Sequence, residues 1–170
     1  MLLENFNHTI DTWINGLPTY NFSQLCKQPS PGKWSLGQLY LHLIRDTQFY
    51  LEQIRLCTMS NDHSTEEPVP FAKTLFAKND FPDAMIEGGP SNAFIPQPDS
   101  KDQLMNGLLD LKEEMKQAYQ LILNSAFIGK THHPGLGYFS AEEWFRFAEI
   151  HFRHHLRQKK RIDTFLDINK

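Results

Sequence analysis

The chain has 170 residues, near the usual size of one domain, and reads as a single domain over residues 1–170. Thirteen Phe, five Tyr and three Trp beside 22% charged residues exclude a disordered chain and favour a packed core. A formal charge of −3 gives no general attraction for phosphate backbones, so nucleic acid is not expected as a partner.

Cys26 and Cys57 lack CxxC spacing and are expected to be unpaired thiols. The amino-terminal Met-Leu-Leu-Glu-Asn-Phe-Asn has no basic segment followed by an apolar run, and no stretch approaches the eighteen or so apolar residues of a membrane span. The expected address is the cytoplasm, with no membrane contact.

In chain order, Leu2, Leu3, Phe6, Ile10, Trp13 and Ile14 recur at helical steps until Gly16 and Pro18 end a first amphipathic helix. Ser35 with Gln38 forms a capping box that opens a second. Its stripe runs through Leu36, Leu39, Tyr40, Leu43, Thr47, Tyr50, Leu51 and Ile54, and the helix extends to about Met59. From Ser60 to Asp99, six prolines and the Gly88-Gly89 pair interrupt any periodicity. Structureless stretches of that length are uncommon in compact domains, so this crossover is expected to fold over the bundle as a lid or docking surface with short helical turns.

Ser100 with Gln103 reads as another capping box, followed by Leu104, Leu108, Leu111, Met115, Tyr119 and Ile122 toward Gly129. His132 to Gly137 is turn-like. Ser140 with Glu143 then opens a fourth helix through Trp144, Phe147, Ala148, Ile150, Leu156, Ile162 and Phe165. Arg153, Arg157 and Lys160 fall opposite its apolar stripe and read as a solvated face, with Glu149 and Arg153 an ordinary surface pair. The fold class is all-α, a four-helix bundle whose long connection lets the second and third helices run in the same direction.

At about 100° per residue, His151 and His155 both fall within the apolar stripe of the fourth helix, with His154 toward its edge. Two core imidazoles one turn apart leave polar nitrogens to satisfy, either by a metal or by carboxylates and carbonyls across the bundle. A third ligand must come from another helix. His42 is the histidine inside the second helix and is preferred to His8, although periodicity places it on the flank of its stripe.

Lys33-Trp-Ser-Leu-Gly-Gln-Leu-Tyr-Leu-His42-Leu, together with Glu143-Trp144 and His151-Phe-Arg-His-His155-Leu-Arg-Gln158, resembles the two histidine helices of the DinB/YfiT-like superfamily of metal-dependent bundle proteins. His133-Pro134 with Gly137 is similar to an uncharacterised branch of it. The resemblance spans essentially the whole chain. It implies an up-down-down-up path with the crossover between helices two and three. It also assigns His42, His151 and His155 as metal ligands, and does not equate His154 with them.

Three neutral imidazoles would leave positions open on Zn²⁺, Ni²⁺ or Fe²⁺ for water, a thiol or a substrate oxygen, and the ion would favour the nucleophilic form of water or thiol near neutral pH. Relatives that use low-molecular-weight thiols make S-transfer to a small electrophilic molecule the first reaction class implied, a transferase reading. Metal-assisted hydrolysis is the second. Asp46, one turn after His42, and Gln158 are candidates to orient the imidazoles, and Trp144 and Phe147 either line a pocket or belong to the core. GxSxG, P-loop and HExxH motifs are absent from the sequence. The competing class is a non-catalytic metal- or ligand-binding stress-associated bundle. An apolar helix face could also form a homodimer.

Overall fold

Phe6, Ile10 and Trp13 lie one turn apart and form the buried face of α1 (Leu2–Gly16) in the computed structural model, which describes residues 1–82 and 94–167. The three other long helices are α3 (Leu36–Cys57), α5 (Lys101–Asn124) and α6 (Ala141–Phe165). Helix α3 packs against α6 and α5, and α1 against the same two, so the stripes close on one core. Trp13, Phe6, Leu39, Leu108, Phe145 and Phe152 sit at its centre without solvent exposure.

The capping chemistry is local and sits largely where the sequence puts it. Ser35 accepts from the Gln38 amide while Gln38 Oε1 accepts from the Ser35 N–H, and Ser140 and Glu143 reciprocate in the same way. The third box is only half formed. Ser100 caps the Gln103 amide, but Gln103 Oε1 accepts from Asp99 N–H instead, with Ser100 at φ −160 where Ser35 and Ser140 sit at −71 and −72. A short helix not visible as a stripe, α2 (Phe22–Cys26), is held by its own Asn21–Gln24 box and packs on α3.

Two expectations are corrected. The structure is mostly rather than wholly helical: His132 and His133 belong to a strand, with β1 (Lys130–His133) paired antiparallel to β2 (Gly137–Ser140). Gly137 adopts φ +84, and a Cβ there would lie 2.8 Å from the Glu67 carbonyl oxygen, so glycine lets the hairpin press against the crossover. The Val69 N–H donates to the Leu136 carbonyl and the Tyr138 N–H to that of Glu67.

In the basic stripe of α6, Lys160 is exposed as expected, but the arginines are not a solvated face. Arg153 binds Glu149, the Asn79 carbonyl and Asp80, Arg157 binds Asp80 and the Phe81 carbonyl, and Arg146 donates to the Phe76 carbonyl. Glu149 is buried and accepts from Thr9 as well. These arginines grip the end of α4 (Pro70–Lys78), the folded part of the crossover, where Asn79 turns the chain with φ +51. Residues 83–93 of the crossover lie outside the described residues. No described helix is long and apolar enough to cross a membrane.

Candidate metal centre

Residues Leu36 to Ile44 are all buried, so this part of α3 has no solvent face. The reason is non-local. Gln38 donates to the Ile95 carbonyl, Gly37 lies against Pro98 and the Leu25 carbonyl, and the returning crossover and α2 thereby cover the side of α3 that periodicity leaves open. His42, on the flank of the stripe, is only 2% exposed and faces Trp34, His151 and His155. Trp34 lays its ring over the imidazole at 4.8 Å between centroids.

From α6, His151 and His155 project one turn apart toward His42. The three Nε2 atoms are 3.1 Å (His42–His151), 3.2 Å (His42–His155) and 3.1 Å (His151–His155) apart. The centre of that triangle is about 1.8 Å from each nitrogen, close to a Zn–N bond of about 2.0–2.1 Å, so the spacing would suit one ion held by all three.

The protonation states favour the same use. Burial is the main cause that lowers the His42 pKa to about 4 and that of His155 to about 3, and it holds His151 well below the ordinary range. All three are neutral near pH 7. His155 Nδ1 lies 3.0 Å from Gln158 Oε1, which can only accept, so its proton sits on Nδ1 and its Nε2 carries a lone pair. His42 Nδ1 is 3.5 Å from Asp46 Oδ2, without hydrogen-bond alignment, and the carboxylate favours the same tautomer. Two lone pairs facing each other at 3.2 Å repel, and a shared cation turns that repulsion into attraction. The residues therefore fit a divalent transition metal. His151 Nδ1 has no hydrogen-bond partner among the described residues.

Asp46 is pushed up to about 6 by burial, against the Arg45 charge and the Tyr50 hydroxyl, which pull it down. His8 is exposed on α1, away from the triangle. His154 packs against Phe81 and His155 on the rim and is not one of the three converging residues. Trp144 is core, its indole N–H donating to Thr131 Oγ1, whereas Phe147 is both core and cavity wall.

Beside the triangle opens a cavity of about 450 Å³, walled by Trp34, Tyr50, Phe71, Phe81 and Phe147 and closed on one side by the hairpin tip from His133 to Leu136. His133, which lines this cavity, lies in the segment that the sequence reads as turn-like. Two short runs flanking Pro134-Gly135 were its signal, since that pattern suits a hairpin as well as a loop.

Fold and site together define a helical bundle with a buried cluster of neutral imidazoles open to an aromatic-walled cavity. The chain belongs to the DinB superfamily, whose family model matches residues 2–158. Its fold is similar to that of YfiT from Bacillus subtilis, described as a probable metal-dependent hydrolase with an unusual four-helix bundle topology. The match has a TM-score of 0.63 at 12% identity and covers 98% of this chain and 86% of that one. Comparison with curated proteins yields no match.

Proposed function

We propose that this protein is a metal-dependent enzyme acting on a small molecule, with His42, His151 and His155 as ligands and hydrolysis as the reaction. The observation that carries this is the convergence of three buried, neutral imidazole nitrogens at 3.1–3.2 Å on the wall of an accessible cavity. When bound, a divalent metal such as Zn, Ni or Fe supplies Lewis acidity at that point. The chain's own residues do the rest. Gln158 orients His155, the Trp34 and Phe147 rings pack on His42 and His151, and the aromatic walls hold a substrate and thin out water beside the reacting group.

Hydrolysis stands ahead of S-transfer because it is the reaction in the description of YfiT, whose fold this chain shares. Thiol-dependent transfer would use the same centre, and no described residue of the cavity wall selects a thiol. The up-down-down-up path belongs to the same reading, supported by the crossover between α3 and α5.

The test is elemental mass spectrometry of the untagged protein and of His151→Ala and His155→Ala variants with circular dichroism matching wild type, followed by ester and amide hydrolysis screens. Near-stoichiometric metal in wild type, lost from both variants together with turnover, is expected. Metal without turnover on any substrate class would leave the non-catalytic binding bundle, and no metal after reconstitution would remove the reading.

A further inference from the structure

The hairpin tip closes one side of the cavity, and its polar side chain there is His133. Its Nδ1 lies 3.0 Å from the Pro134 carbonyl oxygen, which can only accept. The ring proton is thereby committed to Nδ1, and Nε2 keeps a lone pair. The ring is stacked on Trp144 at 26° and 5.3 Å and meets the edge of Phe147 at 5.0 Å. Both contacts fix its plane. The backbone is fixed too, since the Pro68–Gly137 bridge and the Val69–Leu136 hydrogen bond tie the hairpin to the crossover. With one nitrogen tied to the hairpin and the ring wedged between aromatic neighbours, Nε2 is the atom through which His133 can address the cavity. It lies outside the group of converging metal-ligating atoms, so it is available to something other than the ion.

Much of the remaining wall is aromatic, with Lys33, Asp46 and Gln158 adding polar side chains, the last two beside the three histidines. Trp34, Phe71, Phe81 and Phe147 present ring faces and edges around a space of about 450 Å³, enough for a one- or two-ring molecule. Such a lining favours a flat apolar body. An acceptor held in one orientation at the hairpin side of that lining favours a molecule with a donor to match.

We propose that the cavity takes a flat aromatic molecule carrying one N–H or O–H donor, and that His133 Nε2 is the acceptor selecting it. This rests on the small-molecule reading above and adds the substrate class to it. Burial lowers the His133 pKa to about 4, so near neutral pH the ring is uncharged and accepts. His133 is a specificity-determining residue here: it reads the body of the substrate, while the reacting group extends to the three histidines.

Indole and 1-methylindole test the proposal, because they share shape, neither is a good metal ligand, and only indole donates a hydrogen bond. Titrating the full-length protein by calorimetry, we expect indole to bind about 3- to 10-fold more tightly, the range for one net hydrogen bond. His133→Phe keeps the aromatic wall without the acceptor and should bind both alike. His133→Gln, whose amide oxygen can accept, should restore part of the preference. A readout in the unsubstituted chain does not depend on variants folding. The His133 Nε2 nitrogen resonance should move on adding indole and stay in place with 1-methylindole. Equal affinities in wild type, a preference that survives His133→Phe, or a resonance that ignores indole would each overturn the proposal. An indole preference in a protein that hydrolyses nothing would instead overturn the hydrolase reading and leave this one standing.

Discussion

The hydrogen bond from His155 Nδ1 to Gln158 Oε1 is the best-formed support of the histidine triangle. It selects the tautomer with a free Nε2 lone pair and holds the ring against rotation, and partners of this kind typically contribute about 10- to 100-fold in metal affinity. Gln158→Leu should therefore weaken metal binding by roughly that factor while leaving the helical signal unchanged. Competition against a chromophoric chelator measures it. Asp46→Asn is the informative comparison. Its carboxylate is 3.5 Å from His42 Nδ1 and out of alignment, so its loss should cost clearly less than that of Gln158. Equal losses would mean that Asp46 closes on His42 when metal is present.

The arginine stripe of α6 determines how firmly α4 sits over the site. Arg153 joins Glu149, Asp80 and the Asn79 carbonyl, and its loss would leave the buried Glu149 carboxylate with Thr9 as its remaining side-chain donor among the described residues. Arg153→Ala is expected to cost about 2 kcal/mol in urea unfolding and to speed hydrogen exchange of the α4 amides. Lys160→Ala, on the same stripe but exposed, should stay within about 0.5 kcal/mol of wild type. The pair separates an anchored stripe from the solvated one that periodicity suggests. The same contrast explains what was legible beforehand. Caps at Ser35 and Ser140 and the stripes of the four long helices depend on neighbours within a few residues, and the sequence displays them. The burial of His42 depends on His151 and His155 arriving from more than a hundred residues away, and the role of Arg157 on Asp80 from more than seventy. Four-residue strands are too short for alternation to show, which is why the hairpin and His133 read as a turn.

Across the molecule, the site connects stability to both protons and metal. His42, His133 and His155 are held at about 4, 4 and 3, and His151 also well below 6.5, whereas in the unfolded chain each takes a proton near 6.5. As pH falls from about 6.5 toward 4, the unfolded state binds protons that the fold refuses, so stability must fall with pH in that window. Asp46 works the other way. Held at about 6, it keeps a proton in the fold that the unfolded carboxyl releases above 3.8, which offsets one of the four histidines. The metal-free protein should accordingly lose melting temperature between pH 7 and pH 5, and His151→Ala should lose less. Metal would act on the same equilibrium, because an ion held by the three histidines would bind the fold and find no such triangle in the unfolded chain. At a free concentration a hundred times its dissociation constant it adds about 2.7 kcal/mol, or roughly 5–10 °C for a chain of this size. Calorimetry with and without Zn²⁺ measures the rise, which should be nearly the same at pH 7 and pH 5, because the folded imidazoles stay largely neutral until the pH nears 4. A rise retained in His151→Ala would place the stabilising ion somewhere other than the three histidines.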